Sequence, residues 1–402
     1  MEASPADRLA RLARAAEDEL HRIIPFWLGL RDTNSGGFAG KADSHGEVCW
    51  AAGKGAVLQA RILWFFSKAY LRLGDPVLLD AATGAYRFIA AHLLDPDDGG
   101  VFWAATAQGG PADTRKHLYA QAFAIHGLAA FHHASGDPDA LAFAQRLRST
   151  VESKAADPDH PGYFEAFSAD WQVQPNDLMG RPQAPKSFNT HFHLLEAYGA
   201  LWEVWPDPEL GHRMETLITL LTGPMLDRGR NTFRQFFEAD LRSLDEGGSY
   251  GHDIEVSWLV PATADRLSPA VAAAADMAVS GVAEAVLERL EPDGGLIAGF
   301  DGLGRPDRSK IWWVQAEALV GFLDAFERRG EERFLDAAER VWGFIDRSLI
   351  DRADGEWRWR TDPGGEAAAN MPKASLWKCP YHNGRALLEV MERAERLAGP
   401  GG

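Results

Sequence analysis

The chain has 402 residues, 46% of them hydrophobic, enough to bury a substantial core. Its formal net charge of −17 argues against nucleic acid or an anionic membrane as the main partner. The two cysteines, Cys49 and Cys379, stand far apart, which argues against a disulfide framework or a structural zinc site.

Apolar residues at i, i+3, i+4 and i+7 predict helices along most of the chain. The first covers 5–30; it has no secretory h-region, and no apolar run reaches transmembrane length, so a cytoplasmic protein is expected. The next spans 54–74 and carries Arg61 in an apolar setting. A buried arginine needs a partner. Two readings are open for it: a structural ion pair, or contact with a sugar hydroxyl or a developing enediolate oxygen. Helices at 77–95, 115–135 and 137–155 follow, and Tyr119 offers a hydroxyl near the start of the second of these.

The helix at 187–205 opens with "KSFNTHFHLLEAY", where Ser187 suits the N-cap. His191 shares an apolar stripe with Phe188, Phe192, Leu195 and Trp202 and reads as packed. His193 lies off that stripe with Glu196, Ala197 and Ala200 and is expected to line a lumen. His-x-His spacing on a helix points the two rings apart, so no metal site is expected.

After 207–223 comes "GGSYGHDIEVSWLV", the start of a helix over 251–267. Ser249 caps it, and His252, Glu255 and Trp258 wind down one side. A helix N-terminus disfavours imidazolium while a nearby carboxylate favours it, a balance suited to proton transfer. A structural or capping histidine is the other reading. Segments 268–292, 309–329 and 330–352 come next; the second carries Trp312, with Trp313 and Glu317 on one face. The last helix, 380–397, begins "CPYHNGRALLEV", with Pro380 at the first helical position and His382 in the first turn.

The segments pair through short turns containing Asp-Pro, and long Gly-rich loops separate the pairs. Pair starts recur at roughly 60–70 residues, the pattern of a supersecondary repeat. The expectation is an all-α chain, an (α/α)6 barrel of about twelve helices in one domain over 1–402, with the long loops at its mouth. An open solenoid is the competing architecture.

Five stretches in order, "LQARILWFFSKAY", "KSFNTHFHLLEAY", "SYGHDIEVSWL", "KIWWVQAEAL" and "WKCPYHNGRALLE", resemble the N-acylglucosamine 2-epimerase superfamily. The likeness is greatest to its cellobiose and mannose 2-epimerase branch. The resemblance implies cofactor-independent epimerisation at C2 of a reducing-end aldose through a cis-enediolate. It assigns His252 and His382 as the acid/base pair, His193 to ring opening, Arg61 to the enediolate oxygens, and Glu255 to orienting a histidine. It assigns Tyr119, Asn189, Trp258, Trp313, Glu317 and Trp377 to the sugar. Gln59 stands where the family pattern has Asn, which puts the hydrogen bonding around Arg61 in question. No ATP binding is implied. The same residue types would also serve an aldose–ketose isomerase, whereas a glycoside hydrolase would need Glu255 and Glu317 as facing carboxylates. The expected partner is a small sugar, with no nucleic acid or membrane, for a monomer or homodimer.

Overall fold

A computed structural model describes residues 4–178, 181–244, 247–362, 368 and 370–398. Its α-helices are α1 Pro5–Leu28, α2 Ala56–Leu73, α3 Pro76–Phe88, α4 Leu118–Ser135, α5 Pro138–Lys154, α6 Phe188–Val204 and α7 Pro208–Thr222. They continue with α8 Tyr250–Ala264, α9 Pro269–Val279, α10 Val282–Leu287, α11 Trp312–Arg329, α12 Glu332–Phe344 and α13 His382–Ala398. Helices α2, α4, α6, α8, α11 and α13 pack side to side in that order, and α13 returns to α2. That closes an inner ring. Helices α1, α3, α5, α7, α9 with α10, and α12 form the outer layer. The molecule is the (α/α)6 barrel expected from the repeat, and ring closure excludes the solenoid.

The two layers begin differently, and the sequence shows why. Five outer helices start at Asp-Pro or Ser-Pro: Ser4, Asp75, Asp137, Asp207 and Ser268 accept a hydrogen bond from the first turn, with proline just inside. The inner helices α2, α4, α6, α8 and α11 are instead each entered from a two-residue strand, and they are apolar on nearly all sides because they touch neighbours all round. Where 268–292 reads as one helix, the chain turns at Ser280–Gly281 and splits into α9 and α10. That stretch, Pro269–Leu287, is long and apolar enough to cross a membrane by length and composition, contrary to the sequence expectation; 28% of its apolar window is buried against the barrel. The last helix begins at His382, two residues later than Pro380 implies, although Gly384 N–H already reaches the Pro380 carbonyl.

The short strands ring the mouth. Lys54–Gly55 pairs with Ala104–Ala105, Lys116–His117 with Ala166–Phe167, and Lys186–Ser187 with Phe236–Phe237. Gly248–Ser249 pairs with Gly299–Phe300, and Lys310–Ile311 with Arg360–Thr361. Each strand thus clasps the loop of the following unit, and a bridge between Ala42 and Ala374 joins the first loop to the last. Buried lysines anchor these loops: Lys54 to Asp32 (2.7 Å), Lys116 to Asp95 (2.5 Å), Lys186 to Asp157 (2.7 Å), Lys310 to Asp293 (2.5 Å) and Lys373 to Asp351 (3.0 Å). Five residues after the pre-helix position, a side chain grips the preceding loop backbone. Gln59 does so at Phe38, Gln121 at Val101, His191 at Tyr163, Asp253 at Phe233 and Gln315 at Leu296. Gln59 therefore holds a loop, donating to and accepting from Phe38, rather than serving Arg61.

Candidate active site

The same register aims the chemistry inward. Seven residues after Lys54, Lys186, Gly248, Lys310 and Lys378 stand Arg61, His193, Glu255, Glu317 and Arg385. The side chains at these positions meet at the barrel axis, one level below the mouth. One helical turn above Glu255 and Arg385 lie His252 and His382. All belong to first or second turns of inner helices, where the clasped loops fix the backbone.

A cavity of about 270 Å³ opens at this end, lined by Arg61, Tyr119, Asn189, His193, His252, Glu255, Trp313, Trp377 and His382, with Trp312 and Trp359. Nine of the eleven residues expected from the sequence are in its wall. The Trp313 ring stands beside both histidines, its centroid 5.0 Å from His252 and 5.5 Å from His382. Room for that indole depends on Gly251, since a Cβ there would lie 2.6 Å from the Trp313 ring. Of the long loops expected at the mouth, residues 179–180, 363–367 and 369 lie outside the described residues.

All three cavity histidines have Nδ1 engaged. His382 Nδ1 meets Glu317 Oε1 at 2.7 Å, His193 Nδ1 meets Glu196 Oε2 at 2.9 Å, and His252 Nδ1 meets Gln235 Oε1 at 3.0 Å. An oxygen acceptor at Nδ1 assigns the proton there and leaves Nε2 as the basic atom. Burial lowers His252 to a pKa of about 4 and His193 to about 3. It also lowers His382, well below the usual range, helped by the charges of Arg61 and Arg385. All three are neutral bases at pH 7. The orienting carboxylate of His382 is Glu317, not Glu255, whose Oε1 is 3.9 Å from that Nδ1. His252 is oriented by an amide instead. The sequence missed this because Gln235 lies on a loop with no helical period to announce it.

Arg61 is buried beneath the cavity. Its Nη2 donates to the Tyr119 hydroxyl at 2.7 Å, and its guanidinium lies 4.0 Å from the Phe123 ring centroid and 4.9 Å from that of Tyr381. Among the described residues no carboxylate pairs with it and its Nε has no partner. Asn189 Oδ1 and Glu255 Oε2 are likewise unpaired. Each unpaired buried polar atom costs about 1–3 kcal/mol, a cost that a polar occupant of the cavity would offset.

Arg385, not singled out from the sequence, is the hub of the layer below. It donates to Glu255 at 2.5 Å and to Glu317 and the Tyr381 hydroxyl at 2.7 and 2.8 Å, and it also reaches Glu196. Burial and the neighbouring Glu317 push Glu255 well above the usual carboxylate range, against the pull of Arg385. Glu196 is held down by Arg385, His126 and His193 despite its burial. Donor atoms of Glu255, Glu317 and His382 lie within 4.8 Å of one another, a spacing a metal ion would also accept. Arg385 already places a cation against both carboxylates.

Two expected sugar contacts lie elsewhere. Glu317 is fully buried behind His382. Trp258 donates to Glu317 at 3.3 Å and faces a second cavity of about 260 Å³, toward the C-terminal ends of the inner helices. One helical turn beyond Glu255, it has passed below the Arg385 layer, packs against Arg385 and lies outside the wall of the upper cavity.

Residues 36–384 match the N-acylglucosamine 2-epimerase (GlcNAc 2-epimerase) family. The chain is 40% identical over 375 residues to a cellobiose 2-epimerase of Bacteroides fragilis, covering 92% of this chain and 96% of that one. It is 26% identical over 419 residues to a D-mannose isomerase of Thermobifida fusca, covering 96% and 97%. The crystal structure of a sugar epimerase from a ruminal bacterium superposes with a TM-score of 0.92 at 36% identity, over 95% of this chain and 98% of that one.

Proposed function

The chain belongs to the N-acylglucosamine 2-epimerase family and is a carbohydrate isomerase of the epimerase class, and from that premise we propose that it interconverts the C2 epimers at the reducing end of a β-1,4-linked disaccharide such as cellobiose. The observation that carries the chemistry is the pair His252 and His382 beside one indole, each with Nδ1 engaged and Nε2 left basic.

In this reading the sugar ring first opens, with His193 serving the ring oxygen. His252 Nε2 takes the C2 proton, and the electron pair moves into a cis-enediolate whose oxygens face Arg61. His382, protonated from solvent, then delivers that proton to the opposite face of C2, the ring closes, and His252 releases its proton to solvent. The step needs one neutral and one protonated histidine. In the free enzyme Arg61 disfavours the His382 imidazolium. Anionic enediolate oxygens would neutralise that effect while Glu317 stabilises the imidazolium through Nδ1. In the reverse direction the roles exchange. Supporting a disaccharide are the higher identity to cellobiose 2-epimerases and the aromatic wall at the mouth, where Trp377 stands 5.9 Å from both Trp103 and Tyr119.

The test is proton NMR of the protein in D2O with cellobiose, mannose, glucose and fructose in separate samples. The expected result is a mannosyl-glucose epimer from cellobiose, with deuterium entering at C2. Fructose as the main product from mannose would reassign the reaction to aldose–ketose isomerisation. Full activity in both His252→Asn and His382→Asn would overturn the two-histidine mechanism.

A further inference from the structure

We propose that Gln235 is a positioning residue that fixes the tautomer of His252 by presenting an uncharged acceptor to Nδ1, where the other cavity histidines have a carboxylate. The proposal deepens the two-histidine reading above and rests on it for the catalytic consequence alone.

The placement of Gln235 is held from several sides. Its backbone carbonyl accepts from Phe188 N–H at 2.9 Å, at the start of α6. The next two residues pair with Lys186–Ser187. Two residues earlier, Phe233 N–H is gripped by Asp253 Oδ1 at 2.7 Å, on the helix that carries His252. The Gln235 amide nitrogen donates to the Phe233 carbonyl at 2.7 Å. That contact sets which way the amide points, because a carbonyl accepts only from the NH2 end. The oxygen end is left for His252 Nδ1, at 3.0 Å. An acceptor there requires Nδ1–H, so the free lone pair is on Nε2.

The neutrality of the partner matters as much as its position. The groups facing His252 are Glu317 on α11 and His382 on α13, with the uncharged rings of Phe188, Phe192 and Trp313 around it. Burial disfavours the imidazolium of His252 and outweighs Glu317, which favours it. A carboxylate at position 235 would add charge directly to Nδ1 and favour the imidazolium. His193 and His382 carry such a carboxylate; His252 does not. Burial keeps His193 and His382 neutral despite their carboxylates; at His252 the amide adds no charge that opposes burial, so a carboxylate in the same place would raise the pH at which His252 takes up its proton.

The experiment compares wild type, Gln235→Glu and Gln235→Met by ¹⁵N NMR of the histidine rings across pH without sugar, and by pH profiles of kcat and KM. In wild type the His252 Nδ1 signal is expected in the protonated range and Nε2 in the unprotonated range. Gln235→Glu should keep that tautomer, raise the His252 pKa by at least one unit, and move the acid limb of kcat up with it. Gln235→Met should mix the tautomers and lower kcat roughly tenfold at constant KM, with no upward shift of the limb. A wild-type His252 protonated at Nε2 would overturn the proposal. So would equal losses in both variants with an unmoved pKa, since that is the signature of a residue that merely holds the loop. The ring signals need no turnover, so a failure of the epimerase reading would leave this test intact.

Discussion

His382 Nδ1 and Glu317 Oε1 are 2.7 Å apart, and that same oxygen accepts from Arg385 Nη2 at 2.7 Å. One carboxylate oxygen thus ties a cavity histidine to the buried arginine that spans the barrel axis. Replacing Glu317 with Gln would remove the charge while nearly keeping the shape. The expected outcome is a fall in kcat of roughly 10²-fold with KM little changed. Steady-state kinetics checks it, and an unchanged kcat would detach Glu317 from the reaction.

Arg61 is the buried cation without a carboxylate among the described residues. If its charge awaits the enediolate, Arg61→Met should lower kcat by at least 10²-fold. Stability should rise or hold, because an unpaired buried charge is removed. Thermal unfolding run beside the kinetics separates the two effects. Equal losses of stability and activity would mark the residue as structural.

Gly251 leaves the space that the Trp313 indole occupies between the two histidines. In Gly251→Ala the added methyl forces the ring to move. We expect kcat/KM to fall by at least tenfold, with a red-shifted or less quenched tryptophan emission from a displaced indole. Wild-type kinetics in this variant would show that Trp313 need not stand where it does.

The Lys186–Asp157 pair is buried and also holds the carbonyls of Pro161 and Ala239. Lys186→Met would leave Asp157 without its partner, at a cost of about 3–5 kcal/mol. Chemical denaturation should show a lower midpoint. The loop it clasps carries Phe236–Phe237, next to Gln235, so activity should fall before the fold is lost.

Burial lowers His117, His126, His191 and His252 to pKa values of about 4, and His193 to about 3. Between the unfolded value near 6.5 and those folded values, the unfolded chain binds more protons than the folded one. Stability is therefore expected to fall as pH drops from about 6.5 toward 4, and to be insensitive to these groups above 7. Calorimetry at stepped pH checks the sign. A melting temperature that rose on acidification through this window would contradict the neutral, buried assignment.

Much of the barrel was legible in the chain because its information is local. Asp-Pro and Ser-Pro mark outer-helix starts through capping chemistry, and inner helices read as apolar all round because each is enclosed. The histidines and Arg61 stood out for the same reason, as polar groups in largely apolar helices. Trp258 was misplaced by that logic. A face on a helix says which way a side chain points but not how deep along the barrel axis it sits, and one extra turn carries Trp258 past the Arg385 layer. The partners of His382 and His252 were beyond the reach of local pattern, unlike Glu196, which stands three residues from His193 on the same helix. Glu317 comes to His382 from the neighbouring inner helix, and Gln235 comes to His252 from a clasped loop. Helical periodicity specified which residues face the axis; ring closure alone decided which of them meet there.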